Sequence, residues 1–222
     1  MFYNIKIKIK RRLKSANPLL KLMLLGILGL GMGTTVAATD ETNLNKATFA
    51  GGCFWCMVAA FDNLPGVVEV IAGYTGGHTQ NPSYEEVSAG GTGHAEAIQV
   101  FYDPTKTGYT QLLEAFWHNV DPTATDRQFC DVGPEYRAEI FYHNEEQHRL
   151  AEQSKTELAQ SKPFKEPIVT KITAASAFYP AEEYHQHYYR KNPVRYQYYH
   201  YTCGRAQRLK ELWGDSALEP QE

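Results

Sequence analysis

The 222-residue chain has no HExxH pair, no phosphate-binding glycine loop and no dinucleotide fingerprint. The usual signatures of zinc peptidase, P-loop and dinucleotide chemistry are therefore missing. Cysteine is scarce, with four residues at 53, 56, 130 and 203. A structural zinc site would need a second ligand pair beside Cys53 and Cys56, and Cys130 and Cys203 stand alone. Haem attachment needs a histidine directly after a CxxC, where Met57 stands instead. Long apolar runs are also lacking. The longest, residues 22–33, spans about 12 residues against the roughly 20 of a membrane-crossing helix. No internal repeat or low-complexity tract is visible.

Positive charge is lacking in the body of the chain. Residues 1–38 hold Lys6, Lys8, Lys10, Arg11, Arg12, Lys14 and Lys21 and no acid; the rest carries 15 basic against 25 acidic residues, a net of −10. Nucleic-acid binding is excluded on that ground, because phosphate contacts need clustered Lys and Arg. The basic start, the apolar run and the small residues Val36 and Ala38 read as a secretory signal cleaved after Ala38, with an uncleaved N-terminal anchor as the alternative. Both place the acidic body outside the cytoplasm, periplasmic or extracellular. Residues 39–45 read as a polar linker, 46–213 as one catalytic domain and 214–222 as a tail. With 43% hydrophobic residues the chain is globular in composition.

Periodicity predicts strands over residues 47–51, 67–74, 95–102, 138–142 and 168–173, and helices over 53–63, 109–120 and 145–161. Asn144 is the expected cap of the last helix, with Gln147 in the capping-box position. The order is mixed and not a repeating β-α alternation. It predicts an α+β two-layer sandwich with a split β-α-β, ferredoxin-like core. The Tyr-rich stretch after Asn192 reads as a long irregular C-terminal tail.

The chemistry concentrates in Gly51-Gly52-Cys53-Phe54-Trp55-Cys56, at a predicted strand-to-helix junction. Free backbone N–H groups and the helix dipole at such a junction lower a thiol pKa, so Cys53 reads as the nucleophile. Cys56, three residues on, lies on the same helix face and can resolve an oxidised Cys53. A structural disulfide is a competing reading, as is a thioredoxin-type oxidoreductase. Against the latter, the intervening Phe54-Trp55 pair is bulky and apolar and suits a pocket for a small apolar group. Glu96 shares a strand face with Ile98 and Val100, and a carboxyl on an apolar face tends to a raised pKa.

The segment Gly52-Cys53-Phe54-Trp55-Cys56 resembles the signature of the A-type peptide methionine sulfoxide reductases. Collinear segments extend the resemblance from about Ala47 to Pro193: Gly73-Tyr74-Thr75-Gly76-Gly77, Pro82-Ser83-Tyr84-Glu85-Glu86-Val87, Thr92-Gly93-His94-Ala95-Glu96, Asp121-Pro122-Thr123, Cys130-Asp131-Val132-Gly133-Pro134-Glu135-Tyr136-Arg137 and Ala181-Glu182-Glu183-Tyr184-His185-Gln186.

The resemblance implies a peptide-methionine (S)-S-oxide reductase, a repair oxidoreductase acting on methionine S-sulfoxide, free or in oxidised proteins. It assigns Cys53 as nucleophile, Glu96 as acid and Cys56 as resolving cysteine. Tyr84 and Tyr136 are expected to donate to the sulfoxide oxygen, Asp131 to orient the substrate, and Phe54 and Trp55 to form the socket for the S-methyl group. It also implies a thioredoxin-like dithiol reductant, with Cys203 a further candidate for resolving or relaying the disulfide. Cys130 reads as a silent thiol. No cofactor or metal is expected, and a monomer is. The alternative function is an exported thiol–disulfide oxidoreductase using the same CxxC, and a third is an envelope binding protein with a structural disulfide.

Overall fold

The computed structural model describes residues 43–214; the expected signal or anchor (1–38), most of the linker and nearly all of the 214–222 tail lie outside the described residues. Fifteen elements follow in order: β1 Asn45–Gly51, α1 Phe54–Phe61, β2 Val67–Thr75, α2 Tyr84–Ser88, β3 Ala95–Tyr102, α3 Tyr109–His118, β4 Arg127–Gln128, β5 Asp131–Val132, β6 Ala138–Tyr142, α4 Glu145–Ser161, β7 Lys171–Ala174, β8 Tyr179–Pro180, α5 Tyr188–Lys191, α6 Pro193–Thr202 and α7 Arg205–Trp213.

Six strands form one mixed sheet in the order β7-β6-β1-β3-β2-β8, while β4 and β5 pair as a small separate hairpin. Only β6 and β7 run parallel; the other sheet pairs are antiparallel. The β1-α1-β2 connection steps over β3, and β3-α3-β6 steps over β1. Alternation along the strands sends Phe49, Ile98, Val100 and Ile140 to one face, where they meet Phe54, Met57 and Phe61 of α1, Leu112 and Phe116 of α3 and Ala151 of α4. Phe49 anchors this layer, with the Phe116 and Phe61 rings 5.2 and 5.5 Å away. Each large side chain so buried contributes roughly 1.5–3 kcal/mol. The opposite face is thinner: Ala50, Ala95, Ala97 and Phe141 are covered by Ala175 and Phe178.

The α4 cap is as expected, with Asn144 Oδ1 accepting from Gln147 N at 2.9 Å. Gln147 reaches back to the His143 N–H and not to that of Asn144. The irregular C-terminal tail is corrected: residues 188–213 are three helices. Helix α6 buries no side chain fully, so it carries no apolar stripe to read. Helix α7 docks through Leu209, Leu212 and Trp213, and its buried Arg205 lies over the Phe129 ring and donates to the Asn119 carbonyl.

Candidate active site

Strand β1 ends in Gly51-Gly52, and two close approaches require glycine there. Gly52 has φ +81°, and a Cβ on it would meet the Gln128 side chain at 2.5 Å; one on Gly51 would meet Met57 Sδ at 2.6 Å. Cys53 follows as the N-cap of α1, which begins at Phe54, one residue later than expected. Its carbonyl accepts from Cys56 N at 3.1 Å, which brings the two cysteines onto one turn. Both are free and buried.

Glu96 enters from β3, opposite Tyr74 of β2. It is 3% exposed, and its Oε2 accepts the Phe54 N–H at 2.9 Å. The free N–H at the helix mouth thus binds the acid. Burial pushes the Glu96 carboxyl up to about 8; the Phe54 N–H opposes this, and the Asp131, Glu135 and Cys56 charges reinforce it. Glu96 is therefore a neutral acid at pH 7.

The expected lowering of the Cys53 pKa is corrected. Burial pushes its thiol up, helped by its hydrogen bond to Cys56 and by the Glu96 and Asp131 charges. The same hydrogen bond, with the Arg205 charge and Tyr196 in support, holds Cys56 down against its burial.

A cavity of ≈ 70 Å³ opens over Cys53, lined by Cys53, Phe54, Trp55, Tyr84, Glu96, Asp131, Tyr136 and Tyr199. This brings together every residue expected in the site except Cys56, which lies one helical turn beyond Cys53, and Cys203, which lines a separate cavity beside Asp121, Phe129 and Arg208. Phe54 is buried. Trp55 is set by its indole N–H, which donates to His185 Nδ1 at 2.9 Å, and by Tyr188 stacked at 3.7 Å. Tyr84 opens α2 behind a capping box of Ser83 and Glu86, and its N–H donates to Glu182 Oε1 at 2.9 Å. Glu182 Oε2 also accepts the Tyr74 hydroxyl at 2.8 Å. Burial, then the Glu96 charge, pushes Tyr84 up to about 12 and raises Tyr136, so both phenols stay protonated donors. Asp131 sits in β5; burial raises its pKa, and the Tyr199 hydroxyl, which donates to its Oδ2 at 2.5 Å, opposes the rise.

Tyr199 and His185 were not legible as site residues. Tyr199 is one of the chain's fifteen tyrosines and lies in a stretch without apolar period. His185 lies in the Ala181–Gln186 segment, and its work behind Trp55 is visible only in space. The expectation for Cys130 is corrected: it is bonded to Cys203 in a disulfide. Cys130, Asp131 and Cys203 hold ligand-type atoms within 4.8 Å of one another, but the joined sulfurs offer no thiolate to a metal.

The family model for peptide methionine sulfoxide reductase matches residues 45–217. The chain belongs to the peptide methionine sulfoxide reductase family. Among curated relatives, it is 57% identical to the peptide methionine sulfoxide reductase MsrA of Bacillus subtilis over 168 residues, covering 76% of this chain and 95% of that one. It is 55% identical over 173 residues to the MsrA of Listeria monocytogenes serotype 4b, covering 78% and 98%. Among solved structures, reduced Mxr1 of Saccharomyces cerevisiae superposes with a TM-score of 0.64 at 31% identity, covering 69% of this chain and 88% of that one. Methionine sulfoxide reductase A of Corynebacterium diphtheriae gives 0.61 at 32%, covering 70% and 78%.

Proposed function

We propose that the protein reduces methionine S-sulfoxide, free or in oxidised proteins, to methionine. The observation that carries this is a neutral carboxyl, Glu96, held by the Phe54 N–H in one small aromatic pocket with the Cys53 sulfur. A sulfoxide S–O bond breaks when its oxygen is protonated as sulfur is attacked. Glu96 supplies that proton, Tyr84 and Tyr136 donate to the same oxygen, and Phe54 and Trp55 receive the S-methyl group. Asp131 orients the rest of the substrate. Cys53 sulfur attacks the substrate sulfur, the oxygen ends on Cys53 as sulfenic acid, methionine leaves, and the Cys53 proton restores Glu96. Cys56 then displaces that oxygen as water and forms a Cys53–Cys56 disulfide, which a thioredoxin-type dithiol reduces.

The β6-β1-β3-β2 order with its two crossovers supports reading the core as ferredoxin-like. We also infer, from the basic, apolar start alone, that the chain is exported and draws on a reductant outside the cytoplasm. Dabsyl-methionine sulfoxide turnover with dithiothreitol tests the activity: wild type converts it and Cys53→Ser does not. Reduction of insulin disulfides without sulfoxide turnover would instead make the protein a thiol–disulfide oxidoreductase.

A further inference from the structure

We propose that the Cys130–Cys203 disulfide positions two walls of the substrate pocket, so that its reduction weakens sulfoxide binding while leaving the Cys53 chemistry in place. The proposal rests on the reductase reading above and concerns the affinity of that same pocket.

The bond joins cysteines 73 residues apart. Cys130 directly precedes Asp131 at the start of β5, and Cys203 caps α6 one turn after Tyr199. Asp131 and Tyr199 both line the pocket and are themselves joined, Tyr199 hydroxyl to Asp131 Oδ2. Tyr199 Oη also lies 4.0 Å from Cys203 Sγ. A covalent link and a hydrogen bond therefore tie the same two segments side by side.

Gln128 of β4 is buried, but the parts that carry the two pocket residues, strand β5 and helix α6, are lightly held by the core. The β4–β5 hairpin has two residues in each strand, and a short isolated ribbon is marginal by itself. Helix α6 has no fully buried side chain, and helices draw most of their stability from a packed face. The disulfide supplies the missing constraint. Once it opens, the Asp131–Tyr199 contact is left to hold β5 against α6, with the Arg205 side chain over Phe129 beside it.

Chemical access is present, since Cys130 is exposed and Cys203 half-buried. A dithiol of the class that recycles Cys53–Cys56 can attack either sulfur. One of its thiols forms a mixed disulfide, and the second displaces the remaining protein thiol. Two electrons and two protons pass to Cys130 and Cys203, and the donor leaves as its disulfide. Substrate affinity is thereby tied to the surrounding redox poise: tight with the bond closed, loose with it open.

The test uses full-length Cys56→Ser enzyme, in which Cys53 has no partner on its own helix. One sample keeps the 130–203 bond closed; another is opened with dithiothreitol, which is then removed. Thiol counting verifies the two states. Single-turnover methionine release is measured against sulfoxide concentration. Opening is expected to raise the half-saturating concentration on the order of 10-fold, the scale of one lost hydrogen bond, with the limiting rate within about threefold. Reoxidation restores the closed-state value. In Tyr199→Phe the effect of opening shrinks, because the bond acts through that contact. Wild-type chemistry on Cys130→Ser/Cys203→Ser should show the same rise in KM with kcat kept.

Identical saturation curves for the open and closed forms overturn the proposal. So does a double variant that keeps its KM but loses turnover with a thioredoxin-type donor, which would make the bond a relay. Free Cys130 and Cys203 in the oxidised enzyme overturn it as well. An absence of methionine in every form, wild type included, would instead overturn the reductase reading itself.

Discussion

Glu96→Gln separates the acid role of this side chain from any structural one, because it should slow the enzyme and change its pH–stability curve together. The carboxyl is 3% exposed and its pKa is raised from 4.5 to about 8. Below pH 4.5 it is protonated in both folded and unfolded chains, so it adds no pH dependence. Between 4.5 and 8 the unfolded chain ionises while the folded one stays neutral. The folded state then loses about 1.4 kcal/mol per pH unit relative to the unfolded state. The loss reaches about 3 kcal/mol at pH 7 and levels off near 5 kcal/mol above pH 8.

Glutamine keeps an oxygen for the Phe54 N–H and cannot ionise. Any cost of its amide N–H₂, on the order of 1–3 kcal/mol if unpaired, is the same at every pH. The wild-type-minus-variant stability, from urea unfolding at a series of pH values, should therefore be flat below 4.5, slope against wild type up to about 8, and be flat again. In the same samples single-turnover methionine formation should fall on the order of 10²- to 10⁴-fold, the usual worth of a general acid. The wild-type rate itself should decline above about pH 8. A stability difference independent of pH between 5 and 8 would refute the buried neutral acid. An unchanged single-turnover rate would remove Glu96 from the chemistry.

Further outcomes follow from other parts of the site. Cys56→Ser should release one equivalent of methionine per enzyme and then stop with dithiol donors that need a protein disulfide, seen by rapid quench; sustained turnover with such a donor would exclude Cys56 as the resolving thiol. Cys130→Ser/Cys203→Ser should lower stability by about 4 kcal/mol in the chain-entropy account of a loop this long, measured by urea unfolding without reductant. A loss under 1 kcal/mol would mean that the bond is absent in solution. Gly52→Ala should cost about 1–3 kcal/mol and slow turnover, since it strains a φ of +81° and drives a Cβ into buried Gln128, whose amide brackets the Asp121 backbone. A melting temperature and rate equal to wild type would contradict that packing.

Strands β3 and β6 and helix α4 lie at the positions their periodicity predicts, because each has a clean apolar alternation or a marked cap. Glu96 was legible for the same reason: period two puts it on the face of Ile98 and Val100. The two-residue strands β4, β5 and β8 are too short for any period to show. Helix α2 carried a readable sign, the Ser83-to-Glu86 capping box, and α7 another, Leu209, Leu212 and Trp213 at helical spacing. Helix α6 carried none, since its tyrosines are shared between pocket and solvent. What stayed hidden in the site is what depends on space: the Cys130–Cys203 pairing, Tyr199 over Asp131, His185 behind Trp55, and the burial that keeps Cys53 a thiol. A helix N-terminus does stand beside Cys53, as the strand-to-helix junction implies, but its first free N–H is taken by Glu96, a contact visible only in space.

In the proposed mechanism Cys53 takes the oxygen of a methionine S-sulfoxide and passes its oxidation to Cys56. Rapid-quench mass spectrometry of reduced enzyme mixed with one epimerically pure sulfoxide tests it most directly. With the S-epimer, one methionine per enzyme is expected, with a transient oxygen adduct on the Cys53 peptide and then a Cys53–Cys56 disulfide, none of it in Cys53→Ser. Methionine released with Cys53 left as a free thiol throughout, or equal release from Cys53→Ser, would contradict it.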